Sequence, residues 1–365
     1  MDETFSTTFR DWWAALADSG QLSRVPEPPR LTFADDPRNR FSAEILARDP
    51  PEIRIFRGFI ADIRTETERL APVLADACLD GLELLISRQE AETFVTRTCH
   101  DLVVSLVLLH ELFHMLCGHL DAARHDYQNL TALDEFALGL SINDPDPNSG
   151  AELADPEVLR AYYQELEADN CAIQCVLQLP LRGPLAELLS ALDTAGPDLP
   201  AGAQDLPDDA RVIAFRFLVA SSWIMVRLFE VKRADRLRVR SQSHPLPGSR
   251  LLAAIATVLE EFAQASDTTT VEPDGRRSHV LTEESARDYR LFLDAVLKPV
   301  LMSPWPVRDA PDAADGFVIS PLWVVQDLGN LMQNRERTTA PGRELSRLDS
   351  LRAEMNERFG KYRYY

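Results

Sequence analysis

Apolar and polar positions alternate in only two stretches of this chain; elsewhere the apolar residues recur with the period of a helix. Residues 40–47 (RFSAEILA) and 52–60 (EIRIFRGFI) alternate imperfectly on either side of Asp49-Pro50-Pro51, which predicts two strands joined by a turn. Before them, Trp12 and Trp13 lie in a short helical pattern that ends at a proline-rich break, PEPPR. Leucines and alanines at helical spacing predict a helix over 62–88. A second, over about 92–124, is apolar on nearly every face, the mark of a helix at the centre of a core. Further helices are predicted over about 156–179, 208–234 and 250–265, and three more, broken by proline-rich turns, within 282–365. Polar or Pro- and Gly-rich connectors at 141–156, 182–208 and 266–281 separate them. The pattern predicts a mainly α protein of the α+β kind. A core over 1–265 carries a small N-terminal β element, and a C-terminal helical extension over 266–365 packs on it. No internal repeat is present.

Charge narrows the partners. Acidic residues number 58 against 38 basic, for a formal net charge of -20, which repels phosphate backbones, so no nucleic-acid partner is expected. The five cysteines form no CxxC pair and read as reduced thiols, so a cytoplasmic protein is expected. The N-terminus, MDETFSTTFRDWW, lacks the apolar core of a signal peptide. The apolar run 102–109 ends at His110 and Glu111, and 217–226 is flanked by Arg216 and Arg227. Both fall short of the roughly 18–20 residues of a bilayer span, so no membrane span is expected.

One stretch of the predicted central helix carries chemistry. In LLHELFHMLCGHLD (108–121), His110-Glu111-Leu112-Phe113-His114 is an HExxH motif. Positions i and i+4 share a helix face, so two imidazoles there can grip one metal ion, and neutral imidazoles suit zinc. Glu111 is placed to take a proton from an activated water. HExxH arises by chance in roughly one chain of this size in a hundred, but two histidines and a glutamate are expensive to bury without a common partner. A catalytic zinc site takes a third protein ligand. On a continuous helix His119 lies about 180° from His110 and faces away. Leu120 occupies the position where a third histidine is found in some HExxH sites, and Cys117 reads as packing. The third ligand is sought in YQELEADNCA (163–172), where Glu165 and Asp169 are again i and i+4 on a predicted helix. Glu165 is the candidate ligand, and Asp169 the candidate acceptor for the second N–H of a ligand histidine. Glu167, about 200° from Glu165, should point away. In isolation this run would read as a solvated helix face. In SQSHPLPGSR (241–250), Pro245 and Pro247 stiffen the mount of His244, a candidate hydrogen-bond donor to an oxyanion. Arg250 is a candidate anchor through a carboxylate. A plain turn with a surface histidine is the other reading.

Together, HExxHxxxGH, then ExEAD, then SHPxPxxR resembles the gluzincin metallopeptidases. Within them it resembles the family of CAAX prenyl proteases, heat-shock membrane proteases and Oma-type peptidases, loosely over residues 40–260. IFRGFIADI (55–63) is similar to the strand-end element of that family. The resemblance implies His110, His114 and Glu165 as zinc ligands and Glu111 as general base. It also implies a supporting Asp169 and an oxyanion role for His244. Many relatives have glycine where this chain has Phe113, and many are membrane-embedded. The GHLD sequence after HExxH is similar, more weakly, to bacterial phage-exclusion peptidases that cleave a host protein. The expected function is a zinc endopeptidase acting on a protein or peptide, gated by a regulatory partner or by its own 141–156 loop or C-terminal helices. A metallopeptidase-like module without activity, used for binding or regulation, is the rival.

Overall fold

The computed structural model describes residues 2–20, 22, 27–35, 43–46, 48–79, 87–120, 156–178, 210–235, 247–263, 269–271, 277–279, 287–288, 290–302, 326–330 and 340–360. Over these the fold is mainly helical with a small N-terminal sheet, as the apolar pattern predicts. Helix α1 (Asp2–Asp18) buries Phe5, Phe9, Trp12 and Leu16, one stripe at helical spacing.

The sheet has three strands: β1 (Arg30–Ala34), β2 (Ala43–Leu46) and β3 (Glu52–Phe56), in the order β1-β3-β2. The hairpin β2–β3 is antiparallel with Ile45 opposite Ile53, whereas β1 runs parallel to β3 with Leu31 opposite Ile53. Only the hairpin was expected. Strand β1 has five residues, none of them fully buried, so its alternation is weak. Its partner lies about twenty residues on, out of reach of a local pattern.

Helix α2 (Arg57–Cys78) starts directly after β3 and not at residue 62. Phe59, Ile60 and Ile63 are fully buried at helical spacing, so the strand expected to reach residue 60 stops at Phe56. Helix α3 (Arg88–Leu116) begins at a capping box. The Ser87 side chain accepts from the Glu90 backbone N–H, and Glu90 accepts from the Ser87 backbone N–H at 2.9 Å. The helix ends eight residues before the expected 124. Gly118 adopts a φ of 79°, and its N–H closes on the Met115 carbonyl at 2.9 Å, a left-handed stop that favours glycine.

Helices α4 (Pro156–Gln178), α5 (Ala210–Asp235) and α6 (Pro247–Ala263) follow close to their predicted bounds. Helix α3 packs against α1, α2, α4, α5 and strand β2, and α6 packs on α4 and α5. Where a polar loop was expected over 266–281, β4 (Thr269–Val271) and β5 (Arg277–His279) pair antiparallel. A π-helical segment (Phe292–Leu297) runs into α7 (Lys298–Leu301), and α8 (Ala340–Ser350) and α9 (Arg352–Gly360) come last.

Among the described residues α3 alone is long and apolar enough to cross a membrane, because its apolar side chains extend beyond the 102–109 run. That differs from the expectation, yet 83% of the apolar stretch is buried inside the protein, as in a core helix.

Candidate metal centre

Helices α3 and α4 bring three ligand atoms to one point. His110 Nε2 and His114 Nε2, one turn apart on α3, are 3.1 Å from each other. Glu165 on α4 reaches both, with Oε2 at 3.5 Å from His110 Nε2 and Oε1 at 3.4 Å from His114 Nε2. Zinc takes nitrogen and oxygen ligands at about 2.0–2.1 Å in a tetrahedron, whose edges are then about 3.3–3.4 Å. The two imidazole nitrogens stand about one such edge apart and each has one oxygen of the Glu165 carboxylate at a similar distance, so the three side chains could hold a metal ion, and their chemistry suits zinc.

Each ligand is held from behind. Asp169, also on α4, places Oδ1 at 2.9 Å from His110 Nδ1. Its two oxygens accept from Arg250 Nε and Nη2, both at 2.7 Å, and all three residues are buried. Arg250 lies in the first turn of α6 and also approaches Glu165 Oε2 at 3.9 Å. It therefore grips Asp169 directly and stands within ion-pair reach of Glu165. The contact between α4 and α6 continues through Thr257, which donates to Asn170 Oδ1 at 3.0 Å.

The electrostatics favour a cation at the centre. Burial alone would lower the pKa of His110, but Asp169 and Glu165 outweigh it and lift the imidazole to about 10. Without a metal, a proton on His110 meets that demand. Asp169 feels an opposing push from burial, yet Arg250 and His110 hold it at about 2. Burial raises the pKa of Glu111, next to His110 on the same helix; the charges of His110 and His114 counter this in part, while Glu165 and Glu44 add to it. No hydrogen bond or ion pair ties the Glu111 carboxylate among the described residues. A buried carboxylate with a raised pKa suits a proton acceptor that works near neutrality. Glu44 belongs to strand β2, which packs on α3, so the sheet edge lies close to this carboxylate.

Two residues expected to face away join the site. His119 is buried, with Nδ1 at 3.0 Å from His114 Nδ1 and Nε2 at 2.9 Å from Glu167 Oε2. The helical projection that turned His119 outward assumed an unbroken helix. Because α3 stops at Leu116 and the chain turns at Gly118, His119 departs from the helical projection and lies beside His114. Glu167 meets it there, contrary to the expectation that this side chain points away. The signal was present in the sequence: a glycine just past an apolar helix is a stop. Burial lowers the pKa of His119 to about 4 and so keeps the ring neutral, although Glu167 pulls the other way. Cys117 is buried and packs as expected, with Sγ at 4.0 Å from Cys171 Sγ. It also stands near His119 and Glu167 in a second group of potential metal ligands. His244, and the 141–156 loop and 182–208 connector, lie outside the described residues.

Comparison with protein-family models, curated proteins and solved structures gave no match.

Proposed function

We propose that this chain is a zinc-dependent endopeptidase of the gluzincin type, resembling the family of CAAX prenyl proteases, heat-shock membrane proteases and Oma-type peptidases. The observation that carries the reading is the meeting of His110 Nε2, His114 Nε2 and the Glu165 carboxylate within 3.5 Å of one another, beside the buried Glu111. His110, His114 and Glu165 would hold the zinc, which when bound would supply Lewis acidity to a water and a peptide carbonyl. Glu111 would act as general base toward the attacking water and carry the proton on to the departing amine. Asp169 and Arg250 keep the ligands in place, and His244 is the proposed donor to the oxyanion.

Strand β2 supports an extended peptide as substrate. It is an edge of the sheet, and no described strand pairs with its outer side. A peptide laid along it would gain main-chain hydrogen bonds above α3, near Glu111. The reading goes with a reducing, cytoplasmic setting, since none of the five cysteines forms a disulfide. The rival, an inactive module that kept the metal for stability, has no use for Glu111, since a structural site needs no base.

The test has two parts. The purified chain should hold one zinc per molecule. Glu111→Gln should keep that zinc, because both histidines and Glu165 stay, and should lose hydrolysis of an unstructured protein, because an amide cannot take the proton. A chain that binds no zinc, or a zinc-loaded Glu111→Gln variant with substantial turnover, would refute the proposal.

A further inference from the structure

Three contacts in series lead away from the centre through His114. Glu167 Oε2 is 2.9 Å from His119 Nε2, His119 Nδ1 is 3.0 Å from His114 Nδ1, and His114 Nε2 faces Glu165 at 3.4 Å. A carboxylate only accepts, so His119 Nε2 must carry a proton. A neutral ring has one N–H, which leaves His119 Nδ1 bare and able only to accept. His114 Nδ1 must then donate, and its Nε2 is left with a lone pair directed at the metal position. We infer that Glu167 and His119 are positioning residues that force His114 into the one tautomer able to bind metal. The inference rests on the zinc reading above. It gives His114 a support of its own, as Asp169 supports His110.

The same logic decides about the second group, Cys117, His119 and Glu167. A cation held there through His119 Nε2 would displace the proton to His119 Nδ1. That N–H would donate to His114 Nδ1 and put the remaining proton of His114 on Nε2, where it blocks ligation. The two groups therefore cannot both be loaded. Of the two, the group that keeps Glu111 beside it and Asp169 behind it is the metal centre, and the second is its support.

Three variants separate an acceptor from mere packing. His119→Leu fills the space without an acceptor. His119→Asn puts an oxygen where Nδ1 stood. Glu167→Ala frees His119 to take either tautomer. Circular dichroism checks the fold of each, zinc affinity is measured by competition with a chelator, and the His114 tautomer is read from ring 15N shifts in the metal-free protein. His119→Leu and Glu167→Ala should bind zinc about ten- to a hundredfold more weakly, the usual price of losing such a support. His119→Asn should recover most of that loss. Metal-free wild type should carry the His114 proton on Nδ1, and His119→Leu should not. Cys117→Ser should bind one zinc as wild type does. Folded His119→Leu and Glu167→Ala proteins with wild-type zinc affinity would overturn the inference and leave the peptidase reading standing. Two zinc ions per wild-type chain, or loss of zinc in Cys117→Ser, would overturn it in favour of a second metal site. The 15N measurement needs no metal: a His114 proton on Nε2 in wild type overturns the inference even if the chain binds no zinc.

Discussion

Asp169 is the side chain on which most of the centre leans. It meets His110 on one side and takes two short hydrogen bonds from Arg250 on the other, out of contact with water. Asp169→Ala should therefore act twice. It should loosen zinc by about ten- to a hundredfold by freeing His110. It should also strip a buried guanidinium of its bidentate partner, which costs about 3–5 kcal/mol. Urea unfolding of the metal-free protein isolates the second effect and competition with a chelator the first. An unfolding midpoint at the wild-type value would show that the Arg250 pair contributes nothing to the fold. The side chains that sequence reasoning found here, His110, His114, Glu165 and Asp169, stand four residues apart on unbroken helices, where spacing dictates a shared face. His119 and Glu167 escaped the same reasoning because one lies past a helix end and the other faces that returning segment. No periodicity spans such a break.

At the scale of an element, the stop at Gly118 links helix geometry to chemistry. Its φ of 79° lies in the left-handed region, where a side chain is strained by roughly 1–2 kcal/mol. Gly118→Ala should lower the unfolding free energy, read from urea unfolding, by about that much. It should also weaken zinc binding, because His119 hangs from the turn that the glycine makes. A variant with the stability loss but unchanged zinc affinity would show that His119 finds its place without the turn. The interiors of α3, α4, α5 and α6 were legible because long apolar stripes admit one packing solution. Their ends, and strand β1, were not, since they depend on caps and partners that few residues encode. The start of α3 is an exception, as Ser87 and Glu90 spell a capping box that apolar spacing alone passed over.

At the scale of the molecule, the main apolar cluster among the described residues runs from Phe5 on α1 to Leu348 on α8. Residues beyond 265 join it through Phe292, Val296, Leu297, Val300 and Leu301, all fully buried, so the C-terminal elements share the core of the rest. Arg216 on α5 donates to the Ala295 carbonyl at 2.6 Å and ties the π-helical segment to the same body. That burial also governs the thiols. Burial pushes Cys99 and Cys175 up to about 12 and raises Cys78 well above the usual thiol range, whereas Cys171 is half-buried. Iodoacetamide at pH 8 should therefore label Cys171 in the folded protein and spare Cys78, Cys99 and Cys175, with all five labelled in urea, as read by mass spectrometry. Rapid native labelling of Cys99 would mean that the interface of α3 with its neighbours opens readily. The central place of α3 has a consequence in time. It leaves the ribosome after α1 and α2 but before α4 and α5, and the stretch from Leu116 to Glu165 takes on the order of 2–10 s to translate. Throughout that interval its apolar faces wait for α4 and α5, and His110 and His114 wait for Glu165. The nascent chain is at its most adhesive while its metal site is still one ligand short.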